Sequence, residues 1–230
     1  VIEDAAHAIG GEYQNEPVGS CRYSDITVFS FHPVKIITSG EGGMALTNDQ
    51  ALAEYMARLR SHGITRDSEQ MTREPDGPWY YEQLELGFNY RMTDIHAALG
   101  KSQLEQLDVF VERRNELAQK YDEAFADVPV QRQVIPDTVY SARHLYVIRV
   151  PKQQHLSLYQ KFRNEGIGVN LHYTPVHLQP YYRILGFQDG MFPEAEKYGK
   201  GAISLPLFPE LTAEKQNIVI NILKDWFECE

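Results

Sequence analysis

The sequence predicts an α/β chain in two parts: an incomplete larger domain over residues 1–108 and a small α+β domain over residues 109–230. Three observations carry this. Short runs rich in β-branched and aromatic residues, Val1–Asp4 and Asp25–Phe31, end on polar or turn-forming residues, as strands of an α/β sheet do. A long helical pattern starts behind Thr93 and changes phase near Asp108–Val111, where the domain boundary is placed. Beyond it, short strand and helix patterns alternate to the end of the chain.

Taken in order, Val1–Asp4 is a strand, and Asp4-Ala5-Ala6-His7-Ala8-Ile9-Gly10 is the turn or short helix behind it. A second strand covers Asp25–Phe31 and a third Gly43–Thr47. Asn48-Asp49 caps a helix through about Arg60, with Leu52, Tyr55, Met56 and Leu59 on one face, and His62-Gly63 ends it. Residues 64–86 are polar and rich in turn formers, and are expected to form a long loop. Thr93 caps the long helix, whose apolar positions are Ile95, Ala98, Leu99, Leu107, Val111, Leu117, Ala118, Tyr121 and Phe125. In the second part, Leu145–Val150 is a strand and Leu156–Glu165 a helix stopped by Gly166. Val169–His172 is a further strand, and Thr212 caps a last helix with Ile218, Ile222 and Trp226 on one face.

Composition narrows the function classes. With 230 residues, 43% hydrophobic and 23% charged, the chain can bury a sizeable core. A net charge of −10 argues against general nucleic-acid binding, which needs clustered cations. A locally basic pocket for a small anion is still compatible with it. Cys21 and Cys229 are too few for a disulfide framework and point to a reducing compartment, with the cytoplasm as the default. There is no apolar run of membrane-spanning length. His144, His172 and His177 lack metal-ligand spacing, and no metal site is expected. Because Val1-Ile2 reads as the end of a buried parallel strand, the chain is expected to be the C-terminal part of a longer protein.

The chemistry-bearing stretch is Ser30-Phe31-His32-Pro33-Val34-Lys35, followed by Gly40-Glu41-Gly42-Gly43. A desolvated lysine can lose its proton and attack an aldehyde. Pro33 fixes the turn, and Gly40, Gly42 and Gly43 would let a ligand approach the backbone. Asp4, at a strand end, either caps the next helix or holds a protonated ring nitrogen. Ser30 is either structural or a phosphate ligand, and His7 either structural or a cofactor contact.

Together, Val1-Ile2-Glu3-Asp4-Ala5-Ala6-His7, Ser30–Lys35, Gly40–Gly43 and Gly87-Phe88-Asn89-Tyr90-Arg91-Met92-Thr93-Asp94 resemble the signature of the DegT/DnrJ/EryC1/StrS sugar aminotransferases. These are fold-type I enzymes dependent on pyridoxal 5'-phosphate. The resemblance implies that Lys35 bonds covalently to the cofactor and shuttles protons, that Asp4 pairs with the pyridine nitrogen, and that His7 contacts the ring. Ser30 would bind the cofactor phosphate. Asn89 would reach the phosphate in a neighbouring subunit, since the family's active sites are shared across a homodimer. Arg91 would bind phosphate or substrate, its alternative being a surface salt bridge. His172-Tyr173-Thr174-Pro175-Val176-His177 is similar to the family's segment near the sugar nucleotide, which marks His172 and Tyr173 as substrate-binding residues. Ser204–Pro209 also matches a family pattern, read as structural.

The implied activity is transfer of an amino group from glutamate to a nucleotide-linked 4-keto-6-deoxy sugar, in surface polysaccharide or pseudaminic acid biosynthesis. Ser61-His62-Gly63-Ile64-Thr65 and the run from Phe29 to Gly43 look most like the UDP-4-amino-4,6-dideoxy-N-acetyl-beta-L-altrosamine transaminase subgroup. Two other readings compete. A sugar dehydratase on this fold replaces the lysine by histidine, so Lys35 argues against it. A truncated, non-catalytic dimerisation scaffold is the other, because the family's N-terminal phosphate-binding turn and ring-stacking aromatic are not identifiable in this chain.

Overall fold

A computed structural model of the protein describes residues 1–228; Cys229, the second of the two cysteines, lies outside the described residues. The chain forms two compact units, Val1–Asp108 with Thr138–Tyr140, and Val109–Asp137 with the chain from Ser141 onward. Among the described residues no helix is long and apolar enough to cross a membrane.

The first unit is organised by a three-stranded sheet in which Ile26–Ser30 lies between Ile2–Asp4 and Gly43–Leu46. The first pair is parallel, with Asp4 opposite Val28, and the second antiparallel, with Ser30 opposite Gly43. The central strand alternates as a half-buried strand should, Thr27 and Phe29 being buried. Ile2–Asp4 is paired on one side only among the described residues, which leaves Val1 and Ile2 exposed at a sheet edge. Ala5, Phe29, Phe31, Ile36 and Ile37 form this unit's buried apolar set.

Around the sheet, local signals act as their chemistry dictates. The Asp49 carboxylate accepts the Leu52 N–H at 3.0 Å and starts the Gln50–Arg60 helix. His62 and Gly63, both at positive φ, end it, with the Gly63 N–H donating to Arg58 O at 3.0 Å. Thr93 caps Asp94–Leu104 through the His96 N–H.

Several expectations change. Residues 64–86 hold an antiparallel ladder, Ile64–Thr65 against Glu82–Gln83, and the short 3-10 turn Ser68–Gln70. Two-residue strands carry no readable alternation. The single long helix is two, Asp94–Leu104 and Leu107–Ala124, broken just before the expected bend. Ile95, assigned to its apolar face, is 81% exposed. Val139–Tyr140 pairs with Glu12–Tyr13, which in turn pairs with Glu16–Pro17, returning a distant piece of chain to the first unit.

In the second unit Tyr146–Arg149 is flanked, antiparallel on both sides, by Ala202–Leu205 and Gln131–Arg132. The helices Leu107–Ala124, Lys152–Asn164 and Ala213–Glu228 contribute Tyr121, Leu158, Phe162 and Leu223 to a core shared with Ile148 and Ile203. Gly166, at φ 76°, stops the middle helix. Two expectations fail here. Val169–His172 is not a strand but a segment bridged to Ser204 at Asn170. In the last helix Ile222 is buried and Trp226 packs against the core as expected, but Ile218 is exposed, and the core face also takes in Gln216, Val219, Ile220 and Leu223.

Candidate active site

Lys35 sits in a turn closed by its own backbone. The central strand leads into buried Phe31, whose N–H donates to Gly42 O at 2.8 Å and whose carbonyl accepts the Ser39 N–H at 3.0 Å. The Thr38 hydroxyl donates to the same carbonyl at 3.0 Å, and the Lys35 N–H donates to His32 O at 2.9 Å. Ile36 and Ile37, buried immediately after Lys35, anchor the backbone beneath it. The lysine side chain is half-buried.

The parallel pair of strands delivers Asp4 and Lys35 beyond the same, carboxyl-terminal end of the sheet, where open α/β sheets place their ligands. Burial pushes the Lys35 ammonium below its usual value, and the negative charge of Asp4 pulls it partly back. Asp4 is exposed and its Oδ1 accepts the Ala6 N–H at 3.1 Å, so it does close the turn behind it. The capping role and the electrostatic one coexist. Ser30, half-buried, accepts the His32 N–H at 3.4 Å, a long bond that uses the hydroxyl only as an acceptor. His7 lies exposed in the turn after Asp4.

Two of the glycines are closely packed. A Cβ on Gly42, whose φ is 153°, would stand 2.5 Å from both Met92 Cε and Ser39 Oγ. One on Gly43 would lie 2.7 Å from Phe29 O. The protein's own atoms occupy the space these residues leave, so Gly42 and Gly43 serve the packing of the lysine turn.

Asn89 and Arg91 are exposed on a segment that docks against the end of the Gln50–Arg60 helix. The Phe88 N–H donates to Leu59 O at 2.7 Å, the Tyr90 N–H to Arg60 O at 3.0 Å, and Asn89 bridges Ser61. The Phe88 and Tyr90 rings stack at 4.8 Å. Arg91 makes no ion pair among the described residues.

His172 and Tyr173 belong to the second unit. His172 Nδ1 lies 2.7 Å from Ser204 Oγ, on the buried Ala202–Leu205 strand. Tyr173 is 63% exposed, its ring edge-on to His172 at 4.7 Å. His177 differs. Buried, it pairs through Nε2 with Glu196 Oε1 at 3.0 Å, and the Gly190 N–H donates to the same oxygen at 2.6 Å. These two bonds hold the Glu196 carboxyl below the usual carboxylate range. Glu196 was not anticipated: nothing in a Pro-Glu-Ala-Glu helix start tells which acid is buried.

An amine with a loosened proton, a carboxylate acting on it and a nearby hydroxyl, at the carboxyl end of parallel strands, form a donor set that fits an aldehyde-bearing, phosphorylated pyridine. Among the described residues, no group of three or more His, Cys, Asp or Glu side chains could hold a metal ion.

The profile described as the DegT/DnrJ/EryC1/StrS aminotransferase family matches residues 1–224. The UDP-4-amino-4,6-dideoxy-N-acetyl-beta-L-altrosamine transaminase of Campylobacter jejuni is 35% identical over 97% of this chain and 57% of its own length. Among solved structures, Helicobacter pylori PseC, an aminotransferase involved in the biosynthesis of pseudoaminic acid, superposes with a TM-score of 0.88 at 31% identity. That match covers 100% of this chain and 60% of PseC. The PLP-form of Spr1654 from Streptococcus pneumoniae gives a TM-score of 0.88 at 32% identity, over 99% of this chain and 57% of its own. The chain thus spans less than two thirds of the length of these relatives.

Proposed function

We propose that this chain, which belongs to the DegT/DnrJ/EryC1/StrS aminotransferase family, is part of a pyridoxal 5'-phosphate enzyme that transfers an amino group to a nucleotide-linked sugar. Its α/β architecture is that of the fold-type I sugar aminotransferases it superposes on. The observation that carries the reading is the Lys35–Asp4 pairing: a lysine whose proton is loosened by burial, in the field of a carboxylate delivered by the neighbouring parallel strand.

Pyridoxal phosphate, when bound, supplies an aldehyde for an amine and a ring that withdraws electrons. Lys35 Nζ would attach the cofactor and then move a proton between its carbon and that of the substrate. Asp4 would hold a proton on the pyridine nitrogen. The Ser30 hydroxyl would bind the phosphate and His7 the ring, with Asn89 contributing to the phosphate site of a second subunit in a homodimer. Arg91, His172 and Tyr173 would contact substrate. We take the amino donor to be glutamate and the acceptor a UDP-linked 4-keto-6-deoxy-N-acetylhexosamine, in polysaccharide or pseudaminic acid biosynthesis, with a cytoplasmic location. Residues 1–108 would be the C-terminal part of the cofactor-binding domain and 109–230 the small domain.

The test uses the full-length protein loaded with pyridoxal phosphate. Borohydride reduction should fix the cofactor on the peptide containing Lys35, and Lys35→Ala should abolish both that covalent attachment, with its characteristic visible band, and conversion of glutamate to 2-oxoglutarate. Retention of either in Lys35→Ala overturns the assignment.

A further inference from the structure

The second unit contains a cavity of about 540 Å³, within the range of small-molecule sites, lined by none of the residues assigned to cofactor or substrate. Its walls come from separate elements. Gln131 and Arg149 are cross-strand partners in the antiparallel sheet. Val150, Pro151 and Lys152 lead into the Lys152–Asn164 helix, whose start at Pro151 has no side-chain cap. Glu196, Lys197 and Lys200 come from the Pro193–Gly199 helix and the residue that follows it.

Four cationic side chains face one carboxylate here, in a chain whose net charge is −10. That carboxylate is already committed to His177 and Gly190, with Lys200 Nζ a further 3.8 Å from its other oxygen. Lys152, Lys197 and Arg149 form no ion pair among the described residues. Arg149 is half-buried, its guanidinium 5.9 Å from the Tyr198 ring centre, and its Nε is buried without a hydrogen-bond partner. A buried, unpartnered N–H on a cation costs free energy that an anionic acceptor would recover. The rest of the lining is apolar, with Pro129, Val150, Pro151 and Pro193. Convergent cations favour a doubly charged phosphoryl group over a single carboxylate, and the proline-lined wall favours a ligand with an apolar or ring-bearing body.

We propose that this cavity binds a small organic phosphate. Arg149 and Lys152 hold the phosphoryl oxygens from the sheet and the helix start, and Lys197 and Lys200 close over them from the exposed side. Glu196, tied to buried His177, keeps the wall that bears both lysines in place. The site stands independently of the chemistry assigned to Lys35.

Titration calorimetry on the full-length protein with phenyl phosphate tests it, with inorganic phosphate, phenol and UDP as parallel probes. Phenyl phosphate should bind about ten-fold more tightly than inorganic phosphate or phenol, and more weakly as salt is raised. Arg149→Met, and separately the exposed pair Lys197→Gln with Lys200→Gln, should each weaken it by about ten-fold. The lysine pair is exposed, so its loss of binding reads the site rather than the fold. Ser30→Ala and Lys35→Ala should leave the affinity unchanged. UDP binding more tightly than phenyl phosphate assigns the site to the nucleotide of a substrate, and weaker binding to a separate phosphate ester; both uphold it. Undiminished affinity in the lysine pair variant, or loss confined to Ser30→Ala, overturns it.

Discussion

Gly87 and Gly63 pack backbone against backbone: a Cβ on Gly87 would run into the Gly63 nitrogen and stand 2.5 Å from the carbonyl carbon of His62. It would also lie 2.8 Å from Leu59 O. The absence of both side chains lets the segment carrying Asn89 and Arg91 lie flat on the end of the Gln50–Arg60 helix, where its backbone hydrogen-bonds Leu59 and Arg60. Both glycines stand in motifs that carry the family resemblance, so this part of the signature encodes a packing contact.

Gly87→Ala should therefore lower stability by about 2 kcal/mol, since the obstructing atoms are backbone and cannot rotate away. If the Asn89 segment contributes to the active site, turnover of the full-length enzyme should fall more than the loss of folded protein accounts for. Denaturant midpoints compared with turnover per folded molecule check this. Unaltered values of both would mean the segment can shift without consequence.

Asp4→Asn removes the negative charge that raises the Lys35 ammonium against the effect of burial. With that support gone, Lys35 should release its proton at lower pH than in the parent protein. The rate of pyridoxal phosphate incorporation followed against pH reads this directly, and its acidic limb should move toward lower pH. An unmoved limb would show that the two side chains do not feel each other. Turnover should fall by orders of magnitude in the same variant, because Asn cannot hold a proton on the ring nitrogen as a carboxylate does.

Glu196→Gln addresses the buried pair with His177. The carboxyl is held below its ordinary value near 4.5, so the charged form stabilises the fold above that value and loses its effect as pH falls through the lowered one. At neutral pH the variant should be less stable, because the hydrogen bonds that His177 and the Gly190 N–H make to the charged carboxylate are weakened. In acid the two proteins should converge. A gap that stays constant down to the acid limit would mean that volume rather than charge matters at this position.

The places of Asp4, Ser30 and Lys35 were legible because Asp4 and Ser30 end strands, and Lys35 follows one, that announce themselves through β-branched and aromatic residues. The helix caps at Asp49, Thr93 and Thr212 were legible for the same local reason: one side-chain oxygen meets one backbone N–H a few residues on. Two-residue strands such as Ile64–Thr65 were not, since alternation needs more residues than they have. The exposed Ile95 and Ile218 mark another limit, because helical period shows that a face exists without showing which neighbours will cover it.

Local order along this chain determined the strands that flank Lys35, the helix starts and the motifs of the family. Those properties depend on torsional preferences and on partners within a few residues. Tertiary structure alone decided that Asp4 would act on a lysine thirty-one positions away, that His177 would be buried against Glu196, and that Arg149 would share a cavity with Lys197 and Lys200. Each of these rests on burial and on charges brought close by strand pairing and packing, quantities that no short window of sequence contains.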